Sequence, residues 1–460
     1  MTKSTRDAAR PSMVATTKSA AIIPDSENGA DMLSAREAAE HLGVKMSTLY
    51  AYVSRGWLKS YRRKVGRQAL YRRSEIESLR GVVTPERGRR GRSLPEASSW
   101  VTVAQPPRGE GTQPAVIVAE SAVSSIIGGR LVYRGYVIEE IAERASFEEV
   151  CLLLWQGERP APEDVEALRS EIFDARMPAS AAAALAAVGL DAAPLLRLTA
   201  VIPSLGALER SQAPRSRMRQ ATLLMGVLPL ALAQGKINSA ADAHGGMAAR
   251  LLQIARDGGC QDWEVGAVER VLIASAEHEL NASTFAARVV ASTGADLYAC
   301  TLAALCSLSG PIHGGSADRI ERMFAQLATG ARIDACLEGF AREQTLPPGF
   351  GHVMYPAGDP RAVLLKEVAS KMARRKGRRL FETALRVEDA VWKALRLRPN
   401  LDFYLTVCVR MLDFPPGLPS AIFAIGRAAG WIAHCLEQYA DNRLIRPRIR
   451  YRGPALRHWR

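Results

Sequence analysis

Aromatic residues make up only 6% of this 460-residue chain. Alternating β-branched runs are scarce as well, while alanine and leucine are abundant. This combination argues against a β-rich fold and for an all-α one. The seven cysteines (Cys151, Cys260, Cys300, Cys306, Cys336, Cys408 and Cys435) form no CxxC pair and lie far apart. That speaks against a disulfide frame or a cysteine zinc site, and for reduced, mostly core thiols in a cytoplasmic protein. No apolar stretch reaches the roughly 20 residues needed to cross a bilayer. The longest is "ATLLMGVLPLALA" at 221–233, so no membrane partner is expected. The N-terminus has no apolar core of the kind a secretory signal needs, and residues 1–32 read as a disordered tail. No internal repeat is evident.

Negative charge is what the first part of the chain lacks. Residues 1–100 carry a net +9 of the total +14, which suggests a small anion-seeking module on a nearly balanced body. Within it, "LSAREAAEHLGVKMSTLYAYVSRGWL" begins with Ser34 and Glu37, the two ends of a capping box. Ala38, Ala39 and Leu42 follow at helical spacing, Gly43 ends the helix, and a second helix starts near Ser47 with Leu49, Tyr50 and Val53 on its apolar side. Tyr61 and Tyr71 bracket a hairpin whose basic tip surrounds Gly66. Two helices about a glycine turn form the helix-turn-helix pattern, and residues 33–81 resemble the winged modules of the MerR and excisionase types. On that resemblance the second helix would enter the major groove of DNA, and Arg62, Arg63, Lys64 and Arg67 would meet phosphates. Residues 82–112, rich in Pro, Gly, Ser and Arg, read as a linker.

Histidine is also sparse, with seven in all. Three lie in short glycine-containing or polar contexts: His278 in "AEHELNASTF", His313 in "SGPIHGGSAD" and His352 in "GFGHVMYPAGDPR". Separations of 35 and 39 residues rule out a local metal motif of the HExxH kind, and no carboxylate pattern around them recommends a metal. His313 follows an apolar helix over 297–308 and precedes another that Ser316 would cap. The positive end of that second helix disfavours protonation, so a neutral imidazole is expected, able to donate to a developing enolate oxygen. Asp359 reads as an N-cap with Pro360 at N1, which fixes Arg361 in a first turn. A guanidinium held there either grips a substrate carboxylate in two-pronged fashion or bridges to a nearby acid. Asp402 follows Pro399-Asn400, Arg427 lies on a small-residue helix, and Arg446 precedes Pro447.

Taken together, "YRGYVIEEIA", "HELNASTFAARVVAS", "GPIHGG", "GFGHVMYPAGDPRA", "PNLDFY" and "GWIAHCLEQYADNRLIRPR" closely resemble citrate synthase, in order and spacing, over about residues 120–455. The resemblance implies an all-helical domain over 113–460, with a small subdomain at about 315–415 that closes on a large one, and at least a homodimer. It implies condensation of acetyl-CoA with oxaloacetate to citrate and CoA. Acetyl-CoA enters as a substrate and no cofactor is implied. Asp402 would take the methyl proton, His313 would stabilise the enol and His352 would polarise the oxaloacetate carbonyl. His278, His352, Arg361, Arg427 and Arg446 would hold carboxylates, with Arg446 supplied by a partner subunit. A sibling activity with propionyl-CoA, giving 2-methylcitrate, differs by one methylene and is left open. So is a DNA-binding regulator that senses CoA thioesters or organic acids. The chain departs from the family pattern at Pro356, where an Arg or Lys associated with CoA phosphates is usual, and at Val353 and Met354. Weaker CoA affinity is expected, unless Lys393 or the basic run at 366–379 compensates.

Overall fold

The computed structural model describes residues 21–23, parts of 32–76, and residues 120–206, 213–233, 246–255, 259–447 and 453. The chain divides into two compact units, and the break falls in the undescribed stretch before residue 120.

In the N-terminal unit, strand β1 (Ala21–Ile23) pairs parallel with β3 (Tyr61–Arg63), and β2 (Met32–Ser34) pairs antiparallel with β4 (Leu70–Arg72). The Tyr61↔Leu70 register joins β3 to β4 antiparallel, as the expected hairpin requires. β1 is a difference from the sequence reading. Ala21–Ile23, taken as tail, finds a partner forty residues away in the open edge of β3. Helix α1 (Ala35–Leu42) starts on the expected capping box: Ser34 Oγ accepts from Glu37 N at 3.3 Å, and Glu37 accepts from Ser34 N at 2.7 Å. Ala38, Ala39, Leu42, Leu49, Tyr71 and Ile76 form a core of their own. Positions 46, 49, 50 and 53 are helical, so a second helix does follow. Leu49 is buried, but Tyr50 is 52% exposed and stands off the apolar side assigned to it. Arg62 and Arg63 lie on β3, whereas Lys64, Arg67 and the 82–112 segment fall outside the described residues.

The second unit opens with a meander of β5 (Ser124–Ile127), β6 (Arg130–Tyr133) and β7 (Tyr136–Val137). Gly128 and Gly129, at φ +58° and +80°, make its first turn. Helices follow from there on. They are α2 (Ile138–Arg144), α3 (Phe147–Gln156), α4 (Pro162–Asp174), α5 (Ala179–Val188), α6 (Pro194–Leu205), α7 (Pro214–Leu230) and α8 (Gly246–Ala255). Next come α9 (Asp262–Ser275), α10 (Ala282–Ala291), α11 (Leu297–Leu308), α12 (Ser316–Ala328) and α13 (Ile333–Arg342). The last are α14 (Pro360–Ala373), α15 (Arg378–Leu395), α16 (Leu401–Met411) and α17 (Leu418–Asp441). No helix among the described residues is long and apolar enough to cross a membrane.

α17 is the axis of this unit. Eighteen of its 24 residues are buried, as a helix apolar all round must be in a large protein. It packs on α3, α9, α10 and α11. Gly426 and Gly430 let its backbone touch the end of α9. Gly430 N donates to Ala276 O at 3.1 Å, and a Cβ at Gly426 would come within 2.8 Å of the Ser275 Cβ. Arg427, between these glycines, is thereby pressed against the segment that leads to His278.

Candidate active site

Four chain segments converge. The first is the turn after α9. Ser124 Oγ donates to Glu277 Oε1 at 2.9 Å and accepts from Glu279 N at 3.0 Å, and Ile126 N donates to Glu279 Oε1 at 2.8 Å. β5 thus holds both neighbours of His278, and Glu279 is kept at φ +51°, a conformation that costs about 1 kcal/mol for such a residue. His278 is buried, with Nε2 3.1 Å from the Tyr355 hydroxyl. Glu277 beneath it accepts from Ser124 and lies 3.1 Å from His434 Nε2. Burial opposes its ionisation, but His434 and Arg427 outweigh that and keep it charged.

The second segment is the loop after α11. Gly314 N donates to Leu308 O at 2.9 Å, an approach that a side chain at Gly314 would block. His313 Nε2 lies 2.8 Å from Ser283 Oγ, which also accepts from Trp431 Nε1 at 3.2 Å. The expected neutral state is found, since the pKa is lowered to about 4. Burial is the leading cause, followed by the Arg427 charge. The N-cap of α12 is Gly315 and not Ser316. Ser316 instead hydrogen-bonds the Asp402 carboxylate.

The third segment is "GFGHVMYPAGDPR". Gly349 and Gly351, at φ +83° and +79°, allow its backbone to zip onto the chain before α16. Gly351 N donates to Arg398 O, and Asn400 N to Gly349 O, both at 2.8 Å. This bridge ties the loop that carries His352 to the chain just before α16, which bears Asp402 fifty residues away in sequence. His352 Nδ1 accepts from Met354 N at 3.2 Å, so the ring proton sits on Nε2 and points away as a donor. Burial, then the Arg361 charge, lowers its pKa to about 4. The His278 and His352 rings meet edge to face at 5.0 Å.

Asp359 has more roles than the cap read from sequence. Oδ1 accepts from Arg361 N and Nε, both at 3.0 Å. Oδ2 accepts from Arg361 Nη2 at 2.8 Å and from Leu401 N, at the start of α16, at 3.0 Å. The structural bridge is therefore real, and it takes one edge of the Arg361 fork. The Nη1/Nη2 edge remains for a ligand carboxylate.

The fourth segment is α16 with α17. Asp402 lies in the first turn of α16, behind the Asn400 cap. Burial raises its pKa, against the pull of Arg361, Ser316 and Arg427. It is thus a stronger base than an exposed aspartate. Arg427 is 1% exposed and donates Nε to Ser275 O at 2.6 Å. Its charge acts on His278, His313, His352 and Asp402 alike. Arg446 is exposed after α17 and does not join this cluster. No group of His, Cys, Asp and Glu among the described residues is placed to hold a metal.

The arrangement is one buried base, neutral imidazoles with a donor face, and two guanidiniums able to bind carboxylates. Such a site can remove a proton from a weak carbon acid, stabilise the enol and offer an activated carbonyl. Sequence reasoning passed over Tyr355, Ser283 and Glu277, which bond to His278, His313 and His434 in turn. All three lay inside quoted motifs, Glu277 and Ser283 in "AEHELNASTF" and Tyr355 in "GFGHVMYPAGDPR", but no spacing showed what they hold. Pro356 and Val353 are exposed on the His352 loop, and Lys393 is paired with Asp389 at 2.6 Å. Lys393 therefore reads as half of a surface pair, not as a substitute anchor.

A family model for the citrate synthase C-terminal domain matches residues 113–448, and one for a helix-turn-helix domain matches residues 32–80. Citrate synthase 2 of Bacillus subtilis is 35% identical over 351 residues, which are 74% of this chain and 94% of that protein. The 2-methylcitrate synthase of Shewanella oneidensis is 31% identical over 346 residues, 73% of this chain and 92% of its own length. Among solved structures, citrate synthase from Thermoplasma acidophilum in complex with carboxymethyl coenzyme A and oxaloacetate superposes with a TM-score of 0.66. It is 28% identical and covers 75% of this chain and 96% of its own. The converging segments, the helical frame around them and these likenesses over three quarters of the sequence agree, and the chain belongs to the citrate synthase family.

Proposed function

We propose that this protein condenses acetyl-CoA with oxaloacetate and hydrolyses the product to citrate and CoA. The observation that carries this reading is the pairing of a carboxylate made more basic by burial, Asp402, with imidazoles kept neutral beside two buried guanidiniums. Asp402 takes a proton from the thioester methyl. His313 donates from Nδ1 to the enol oxygen. His352 donates from Nε2 to the ketone of oxaloacetate as the carbon–carbon bond forms. The free edge of Arg361, the terminal nitrogens of Arg427, His278 and a partner subunit's Arg446 hold carboxylates. Water then cleaves the citryl thioester and CoA leaves as the thiol.

The test is release of free thiol from oxaloacetate with acetyl-CoA or propionyl-CoA, using Asp402→Asn as the blank. Turnover lost in that variant supports the reading, and the ratio of the two rates names the thioester. A folded protein with no turnover on either refutes it.

A second reading concerns the N-terminal unit. Its small closed core and the exposed Tyr50 on its second helix support duplex DNA binding. Unchanged mobility of random and genomic duplexes in a gel shift, with and without citrate or CoA, would remove it.

A further inference from the structure

Helix α10 carries more than Ser283. Arg288, further along the same helix, is 2% exposed and stands at the centre of a buried polar chain. Its Nε donates to Gln438 Oε1 at 3.0 Å. Its Nη1 donates to the Glu437 carboxylate and lies 3.0 Å from His434 Nδ1. His434 and Gln438 are buried as well.

A guanidinium has donors and no acceptor, so Arg288 fixes how both neighbours face. His434 must keep Nδ1 bare for it. The imidazole proton therefore sits on Nε2 and goes to Glu277 Oε1, 3.1 Å away. Gln438 must turn its oxygen towards Arg288, which leaves its amide nitrogen to donate to Arg443 O at 2.9 Å. The two branches end in different places. The inner one ends beneath His278, at Glu277. Burial lowers the Arg427 pKa, and Glu277 is the leading charge that opposes this. The outer branch ends on the segment after α17. Asn442 turns the chain there at φ +51°. Gln438 then holds the Arg443 carbonyl, and Ile445 N donates to Ser292 Oγ at 3.1 Å. Ser292 is the C-cap of α10, one turn beyond Arg288. Arg446 is the next residue along. A simple ion pair between packed helices would account for Arg288 with Glu437. It does not account for the two neutral acceptors that lead away from the guanidinium in opposite directions, and a buried pair is no more stable than apolar packing in its place.

We infer that Arg288 is a positioning residue for substrate carboxylates in two sites at once. Through His434 and Glu277 it sets His278 and Arg427 of its own subunit. Through Gln438 it sets Arg446, which the same subunit lends to its partner. The inference rests on the condensing reading above, in which these groups hold oxaloacetate.

Titration calorimetry of oxaloacetate against the full chain, with thiol release beside it, tests this. Arg446→Ala should weaken oxaloacetate about tenfold or more, the worth of one charged contact. Gln438→Leu cuts only the outer branch. It should raise the Kd and KM for oxaloacetate several-fold with kcat little changed, and should add less than about twofold when Arg446 is already alanine. Gln438→Glu keeps the Arg288 contact and loses only the donor to Arg443, so it should give the same result should the leucine variant not fold. His434→Leu cuts the inner branch and should weaken oxaloacetate by the same factor with or without Arg446. His434→Gln, whose amide can accept from Arg288 and donate to Glu277, should restore the affinity. Arg288→Lys has one nitrogen for three acceptors and should combine both losses. Circular dichroism checks the fold of each variant. If the Gln438 and Arg446 effects multiply in full, or if both branch variants bind oxaloacetate as the parent does, the inference is overturned while turnover by the parent leaves the condensing reading standing. A folded parent that binds no oxaloacetate overturns that reading, and the inference with it.

Discussion

Ser283→Ala isolates the hydrogen bond on which the proposed action of His313 depends. Ser283 is fully buried, with its Oγ 2.8 Å from His313 Nε2, 3.2 Å from Trp431 Nε1 and 2.8 Å from Asn281 Oδ1. A hydroxyl has one proton and two lone pairs. The indole can only donate, so it occupies one lone pair. For His313 to donate from Nδ1, its Nε2 must be bare, and the Ser283 proton must swing to it from Asn281 Oδ1, to which it otherwise donates. Asn281 Oδ1 keeps Thr284 N as a partner at 3.0 Å. Alanine leaves an indole N–H and an imidazole nitrogen unpaired in the interior. At roughly 1–3 kcal/mol for each orphan, and with partial relaxation, stability should fall by about 2–4 kcal/mol. Loss of the Nδ1 proton removes one donor to the enol oxygen, which should lower kcat about 10²- to 10³-fold. The KM for oxaloacetate should barely move, because Ser283 is not among the groups proposed to hold its carboxylates. Thiol release gives the rates, and nitrogen-15 NMR of His313 reads the tautomer directly. Ser283→Thr, which keeps a hydroxyl, should recover most of the rate. If Ser283→Ala melts earlier yet keeps kcat within about threefold of the parent, Ser283 does not set the tautomer and the reasoning fails.

Gly430→Ala should destabilise the protein by about 3 kcal/mol or more, because the new methyl overlaps the Glu277 carboxylate and the Ala276 carbonyl; a thermal melt within a degree or two of the parent would contradict that. Burial, and then neighbouring Glu148, push the Glu269 carboxyl up to about 7 from its ordinary 4.5. The folded state therefore holds that proton more tightly than the unfolded one. Its contribution is most favourable below pH 4.5 and is lost as pH rises towards 7. Glu269→Gln should cancel this loss and raise stability at pH 8 by up to roughly 3 kcal/mol relative to pH 5, read from urea midpoints at the two pH values. His352 and His313 act in the opposite sense. Their lowered pKa values favour the fold above pH 6.5, and that benefit fades as pH falls towards 4, so the comparison must be variant against parent at each pH. Pro356→Arg should lower the KM for acetyl-CoA several-fold with kcat unchanged, and an unaltered KM would show that this exposed position is not a phosphate anchor.

What could be read from the sequence was local. The Ser34–Glu37 box, the Asp359–Pro360 start of α14 and the bounds of α11 all rest on residues within a few positions of one another, where backbone geometry fixes the outcome. The three histidines and Arg361 stood out from their local contexts, while the roles proposed for them and for Asp402, Arg427 and Arg446 came through motif resemblance. What the motifs did not contain was who holds whom. Ser283 and His313 are 30 residues apart, Tyr355 and His278 are 77, and Glu277 and His434 are 157. Such pairings are set by helix packing and leave no spacing signal. Ser316 was misread for the same reason. Its side chain has a distant carboxylate to bind, so Gly315 is left at the cap. The neutral state of His313 was foreseen from the helix end, yet burial is the larger cause, and burial is a property of the whole fold.

Asp359 carries an implication for timing. One carboxylate grips Arg361 on α14 and the first amide of α16, the helix that bears Asp402. The anion grip and the base therefore travel as one piece. His313 and Arg427 are anchored elsewhere, to Ser283 and Ser275. On the proposed chemistry, a movement between these two groups first breaks the Ser316–Asp402 hydrogen bond, and then parts the base from the His313 donor while leaving it beside its arginine. On that chemistry an acyl thioester that arrives early would meet a base with no donor opposite it, and its proton would stay put until the two halves meet. Such an interlock would guard the proposed reaction against wasted deprotonation, and it would come from connectivity.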